Sequence, residues 1–169
     1  MTGTFEPDRP PAGPGDFSLQ GEISGVKLIT DRSSRGKSNL VVDATRSFEI
    51  EVEWHVFGNL VPIWLTALSV RTKEWVVTVY AEAQGPGEEV VLGQVGVPLG
   101  GPLFSQDEAY RAVLTVPPSA LPEEQIADPA HAGVYKIIVI TVLSSDLGEI
   151  GYDLNGYAEG PVIKVESPL

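Results

Sequence analysis

The 169-residue chain contains no cysteine. This absence excludes disulfides, thiolate catalysis, cysteine-ligated zinc and cysteine-bound iron–sulfur clusters. A domain of this length buries roughly 70% of the surface that its unfolded chain would expose, so it can fold without a disulfide or a metal. We therefore expect an ordinary hydrophobic core to stabilise the protein.

Histidine and basic residues are also scarce. The chain has 2 histidines, and 23 acidic residues against 11 basic ones give a net charge of −12. His55 alternates with glutamates on a predicted strand and His131 lies in a predicted loop, and neither has a nucleophile-elbow serine beside it. An acidic surface also repels nucleic acid and anionic membranes. We therefore predict a protein that is not an enzyme, with no catalytic residues, no cofactor and no nucleic-acid partner.

Long apolar runs are missing as well. The longest, Ile137–Leu143, is the length of a strand and far short of the ~20 residues that a membrane helix needs. The N-terminal sequence has neither the basic and apolar regions of a secretory signal nor a twin arginine. We therefore expect no membrane insertion and a cytoplasmic location.

Residues 1–16 have a composition unlike that of the rest of the chain. They contain four prolines and three glycines and few apolar side chains. Such a segment cannot offset its own ordering entropy by burial. We therefore predict an extended, flexible N-terminal arm over residues 1–16, which a neighbouring subunit would hold in an assembly, and one β domain over residues 17–169.

Residues 47–57 show the clearest strand pattern. Apolar side chains alternate there with glutamates and a histidine, which gives one face for a core and one for water. A shift of one residue would bury three carboxylates, so the register of this strand is well specified. The apolar members are Phe48, Ile50, Val52, Trp54 and Val56, and the glutamates are Glu49, Glu51 and Glu53.

Further short runs rich in β-branched and aromatic residues follow one another along the chain. Residues 133–143 are apolar on both faces, which is typical of a strand in the middle of a sheet. With no helix of useful length, seven to nine short strands indicate a sandwich or a barrel. The predicted strands lie in residues 17–29, 40–44, 62–71, 74–83, 89–98, 110–116, 133–143 and 161–166.

Two of these strands carry a fold-level resemblance. The run 110–116, a loop, and then residues 132–139 with Tyr135 near their start resemble the passage from strand E to strand F in immunoglobulin-like and fibronectin-type folds. In those folds a tyrosine early in strand F caps the corner through its hydroxyl. The resemblance implies an all-β, two-sheet antiparallel sandwich. It implies no function, because this architecture hosts many unrelated ones.

On an immunoglobulin-like topology, the loops at residues 58–64 and 146–159 lie at the same end of the sandwich. Tyrosine and tryptophan provide large contact area at low entropic cost and dominate interface energetics. Ile63 and Trp64 could equally fold back into the core. The candidate binding residues are Leu60, Ile63, Trp64, Tyr152, Asp153, Asn155 and Tyr157.

Two functions remain open from the sequence. The first is a protein-interaction or structural subunit of a larger assembly, which acts through these loop residues, a sheet edge or the N-terminal arm and binds another protein or itself as a homo-oligomer. The second is a carbohydrate-binding module with Trp64 and Tyr157 as aromatic platforms, and with calcium held by the acids of the loop at 146–159. No metal ligand is assigned, because this loop does not match the EF-hand pattern.

Overall fold

A computed structural model describes residues 3–30, 40–123, 133–145 and 153–167 of the chain. These residues form nine strands and one helix. In chain order the elements are β1 (Gly3–Glu6), β2 (Gln20–Ile29), β3 (Val41–Asp43), β4 (Phe48–Phe57), α1 (Val61–Ser69), β5 (Glu74–Ala83), β6 (Val90–Pro98), β7 (Asp107–Val116), β8 (Val134–Leu143) and β9 (Leu154–Glu166).

All nine strands belong to one sheet with the order β6-β5-β8-β9-β1-β2-β4-β7, and β3 pairs with β9 in parallel while the other pairs are antiparallel. The two outermost strands pack against each other. A Cβ at Gly93 of β6 would meet Leu114 of β7 at 2.9 Å, and the Tyr110 hydroxyl donates a hydrogen bond to the Leu99 carbonyl at 3.2 Å. The sheet is therefore nearly closed, like a barrel.

The all-β, antiparallel class predicted from the sequence is confirmed, but the described strands do not form two facing sheets. Strand β1 explains the difference. It pairs with β9 on one side and β2 on the other, and so it joins β6-β5-β8-β9 to β2-β4-β7. The sequence prediction took the two-sheet arrangement from the immunoglobulin-like resemblance and did not include β1 as a strand.

The flexible N-terminal arm is likewise not what the structure shows. Within residues 1–16, the stretch Gly3–Glu6 is a strand, and Phe5 is only 2% exposed. The next residues fold back, with backbone hydrogen bonds exchanged between Arg9 and Leu19 at 2.8 and 3.0 Å. The prolines begin at Pro7, so the first residues are free to pair, and hydrogen bonds on both edges with a buried phenylalanine offset the ordering entropy.

The alternation predicted for residues 47–57 is confirmed in β4. Its five apolar side chains are at most 5% exposed, and its glutamates lie on the opposite face. Strand β8 lies between β5 and β9, as its two apolar faces predicted. The Tyr135 hydroxyl donates to the Pro122 carbonyl at 2.9 Å, so it holds part of the segment between β7 and β8.

The prediction of a strand at residues 62–71 is wrong, because Val61–Ser69 is helical. Val61, Leu65 and Leu68 are buried at a spacing of four and three residues, which is the spacing of one helix face. Pro62 lies in the first turn, where its missing N–H costs nothing. The helix connects β4 to β5 and packs its buried face on the core at one end of the sheet.

The core at this end is aromatic. The rings of Phe5 and Trp75 meet edge to face at 6.0 Å, and those of Trp54 and Trp75 do so at 5.9 Å. Tyr110 stacks on Trp54 at 5.6 Å, and burial raises the pKa of its hydroxyl to about 12. Within the described ranges, no helix is long and apolar enough to cross a membrane.

Candidate functional site

The structure places Leu60, Ile63 and Trp64 at and within the first turn of α1. Leu60 is the N-cap residue and is half-buried, and the Trp64 backbone N–H donates to its carbonyl at 2.9 Å. The Trp64 side chain packs against the core, whereas Ile63 is 65% exposed. Of these three predicted binding residues, only Ile63 faces outward.

The remaining predicted residues lie in or beside β9, except Tyr152, which is outside the described residues. Asp153 accepts a hydrogen bond from the Ser145 N–H at 2.6 Å. Asn155 pairs with Glu6 of β1 inside the sheet. Tyr157 is 45% exposed but lies on the outer face of the sheet, about 10 Å along the strand from the start of β9.

Helix α1 is apolar on its buried side and largely apolar on its outer side, where the exposed Thr66 lies among apolar residues. The stretch 61–70 carries no charged residue. Opposite its buried face, Ile63, Ala67 and Val70 are exposed, with Val70 75% exposed. A helix that is apolar all round is normally buried on all sides. The outer side of α1 is therefore a candidate contact surface.

Another exposed apolar side chain, Phe17, lies in the segment that is held beside the start of α1, and the sequence analysis did not single it out. Its ring is 61% exposed. Asn59 holds both neighbours of Phe17, because its side chain accepts from the Ser18 N–H at 2.7 Å and donates to the Asp16 carbonyl at 2.9 Å. We refer to Phe17, Ile63, Ala67 and Val70 as the helix-end surface.

Gly58 allows this close approach of the two segments. Its φ is 124°, and a Cβ there would lie 2.3 Å from the Ser18 carbonyl oxygen. Any other residue would be strained in backbone conformation and would clash. At the other end of the helix, the Thr72 hydroxyl donates to the Ser144 carbonyl. The segment between α1 and β5 thus contacts the segment after β8, while the predicted loop at 146–159 lies partly outside the described residues and its residues 154–159 belong to β9.

A second apolar surface covers the outside of β5, β8 and β9. Register pairs its side chains across the three strands, with Val76 opposite Val142 and Ile140 opposite Tyr157. These side chains are half-buried or exposed, while the alternate residues of the same strands point into the core. We refer to Val76, Tyr80, Ile138, Ile140, Val142 and Tyr157 as the outer β8 face.

The outside of β2, β4 and β7 is charged instead. Lys27 lies 3.0 Å from Glu53 and 3.6 Å from Glu51, and Arg111 donates a hydrogen bond to Glu51. The Arg111 hydrogen bond, more than any other contact, holds the pKa of Glu51 below its usual range. The hydrogen bond and the charge of Glu53 raise the pKa of Lys27. Lys27 and Arg111 are thus paired with glutamates of the same face.

Replacement of Glu51 by glutamine is expected to lower the free energy of unfolding at neutral pH by about 1 kcal/mol, because Arg111 and Lys27 lose their partner. The folded-state pKa of Glu51 is lowered, so its contribution is present above the unfolded pKa of about 4.3 and is lost as pH falls through the folded value. Urea denaturation should therefore show a difference between Glu51→Gln and wild type at neutral pH that shrinks in acid. The exposed Glu89→Gln should match wild type at both pH values, and a constant Glu51→Gln deficit would contradict the assignment.

His55 is the one histidine among the described residues, since His131 lies outside them. Its Nδ1 lies 3.0 Å from Asp107 and its Nε2 3.6 Å from Glu22, on the outer face of the sheet. No hydrogen bond joins it to a serine within the described ranges. In the same ranges, no three histidine or acidic side chains are grouped so that they could hold a metal ion.

The aromatic platform suggested for carbohydrate binding is not assembled by the described residues. Trp64 packs on the core at the helix end, whereas Tyr157 lies within the outer β8 face. Residues 146–152, half of the loop that would supply calcium ligands, lie outside the described residues, and residues 154–159 belong to β9. Asp153 is described, and one of its carboxylate oxygens accepts a hydrogen bond from the Ser145 N–H.

No protein family matches the sequence, and no curated protein matches it.

Proposed function

We propose that this protein is a non-enzymatic structural subunit of a larger assembly, and that its helix-end surface binds a second copy of the chain. The observation that carries the proposal is helix α1. It has no charged residue over positions 61–70 and leaves Ile63 and Val70 mostly in water. Exposed apolar side chains grouped on one helix are typical of a contact surface.

Charge does not oppose a second copy as the occupant of this surface. Two chains of net charge −12 repel each other wherever their acidic faces meet. Phe17, Ile63, Ala67 and Val70 bring no charge to an interface, so copies can meet there at the lowest electrostatic cost. A two-fold arrangement would place the same side chains of both copies against each other.

The contact is expected to be weak on its own. Burial of Phe17, Ile63 and Val70 contributes about 1–2 kcal/mol for each side chain. Association costs at least about 4 kcal/mol in lost translational and rotational freedom. Such a contact suits a subunit that is also held elsewhere in an assembly, where a second attachment raises the effective concentration.

The double substitution Ile63→Glu with Val70→Glu is expected to abolish self-association, because it places four carboxylates in a two-fold interface. Sedimentation velocity over a range of protein concentrations should show a concentration-dependent dimer for the wild type and a monomer for the variant. Both positions face water, so the fold should be kept.

Val91 provides the matched control. It is 61% exposed and lies on β6, away from α1. Val91→Glu should associate like the wild type. A wild-type protein that stays monomeric at every concentration, or equal weakening by Val91→Glu, would refute the proposal.

A further inference from the structure

The outer β8 face is rich in apolar side chains, although Thr78 and Asn155 also lie on it. Tyr157 is exposed there, and its other five apolar side chains are half-buried. The facing side of the sheet, around Glu51, shows the alternative, because there the outward positions are charged and paired. One chain thus presents one charged and one apolar sheet face to its surroundings.

The border of the outer β8 face is acidic. Glu82 and Glu159 flank Lys136 at 4.0 and 3.2 Å, so the charge of this lysine is neutralised within the chain.

Glu74 lies over Gly96 of β6, where a Cβ would meet its carboxylate at 2.4 Å. Glu6 pairs with Asn155 at the edge next to β1. Lys164, farther along β9, is paired with Glu166. Four carboxylates therefore border the face against one ammonium group.

We infer that the outer β8 face binds a different protein, whose contact surface has an apolar centre and a rim of lysine or arginine. The centre would pack on Tyr157 and Ile140, and the rim would pair with Glu82 and Glu159. This binding goes beyond the proposed self-association, because it uses a separate surface and a heterologous partner.

The size of the outer β8 face is consistent with an interface that has an apolar centre and a charged rim. Four residue steps from Val76 to Tyr80 span about 13 Å, and the three strands span about 10 Å, so the footprint of the face is about 130 Å². A stable interface covers about 800 Å² on each partner. The apolar side chains can thus form only the centre, and the remaining contact area falls on the acidic border.

The same border argues against a second copy as the occupant. Two copies face to face would bring Glu74, Glu82 and Glu159 of both chains into one rim, opposed by Lys136 of each chain. Like charges across an interface oppose binding, whereas a basic partner would be steered towards this border.

The test uses two labelled probes, a short amphipathic helical peptide of leucine and lysine and the same peptide with glutamate in place of lysine. Fluorescence anisotropy with the full chain should show binding of the lysine peptide only, and binding should weaken at high salt. Glu82→Lys combined with Glu159→Lys should reduce affinity for the lysine peptide by about tenfold and allow the glutamate peptide to bind.

Tyr157→Ser tests the apolar centre and should weaken binding of the lysine peptide by about tenfold. Val113 is the matched control, since it is an exposed apolar residue on the outside of β7. Val113→Ser should leave affinity unchanged. Equal binding of the two peptides, no binding of either, or equal losses for Tyr157→Ser and Val113→Ser would overturn the inference.

Discussion

Replacement of Phe5 by alanine is expected to lower the free energy of unfolding by about 3–5 kcal/mol, which is the usual cost of removing a buried phenylalanine. Phe5 is 2% exposed and meets Trp75 edge to face at 6.0 Å. It is also the anchor of β1, a strand of only four residues that joins the two halves of the sheet. Thermal or urea denaturation measures the change, and the melting temperature should fall by roughly 10 °C.

Phe17 provides the control for this substitution. It is another N-terminal phenylalanine but is 61% exposed, so Phe17→Ala should change stability by no more than about 0.5 kcal/mol. If residues 1–16 were a flexible arm in solution, the two variants would behave alike. Near-wild-type stability of Phe5→Ala would therefore contradict the place of β1 in the sheet.

The elements that the sequence predicted well are those whose own side chains carry the pattern. In β4 each apolar residue alternates with a polar one, and in β8 both faces are apolar, so the strand type and the depth in the sheet follow from local composition. The sequence also singled out the Tyr135 hydroxyl, which donates a hydrogen bond to the Pro122 carbonyl in a sheet that is nearly closed.

Strand β1 and helix α1 could not be predicted in this way because distant residues decide them. The stabilisation of β1 comes from β2 and β9, which follow it by many residues in the chain. The sequence of α1 is apolar at nearly every position, so it matches the patterns of a strand and of a helix equally well. Tertiary burial of Val61, Leu65 and Leu68 then selects the helix.

The candidate surfaces likewise contain residues that the local sequence identified and residues whose position depends on distant parts of the chain. Ile63 was predicted from its place in a loop, and the structure leaves it exposed. Phe17 was missed because hydrogen bonds of Asn59 and Leu60, distant in the chain, hold its neighbours beside the start of α1. Tyr157 was predicted as a loop residue, yet the register of β9 against β8 places it opposite Ile140 on the sheet face. Sequence reasoning identified exposed aromatic and apolar side chains more readily than the surfaces they share.

The fit between β1 and its neighbours leads to the second large effect. Phe5 is paired with Gly156, and a Cβ at Gly21 or at Gly156 would lie 2.5 Å from its ring. The two glycines lie on β2 and β9, the strands on either side of β1, and their missing side chains leave room for the Phe5 ring. Gly21→Val is expected to lower the free energy of unfolding by about 3 kcal/mol, because the branched side chain overlaps the Phe5 ring.

The double variant Gly21→Val with Phe5→Ala separates this steric cause from a general effect on β2. The valine would enter volume that Phe5→Ala empties, so the double variant should be more stable than the sum of the two single losses predicts. Residues in contact give coupling energies of about 0.5–3 kcal/mol, and here the coupling should be at least about 2 kcal/mol. Urea denaturation of the four proteins in the cycle measures it. Additive losses would mean that Gly21 does not contact Phe5, and the insertion of β1 between β2 and β9 would then be wrong.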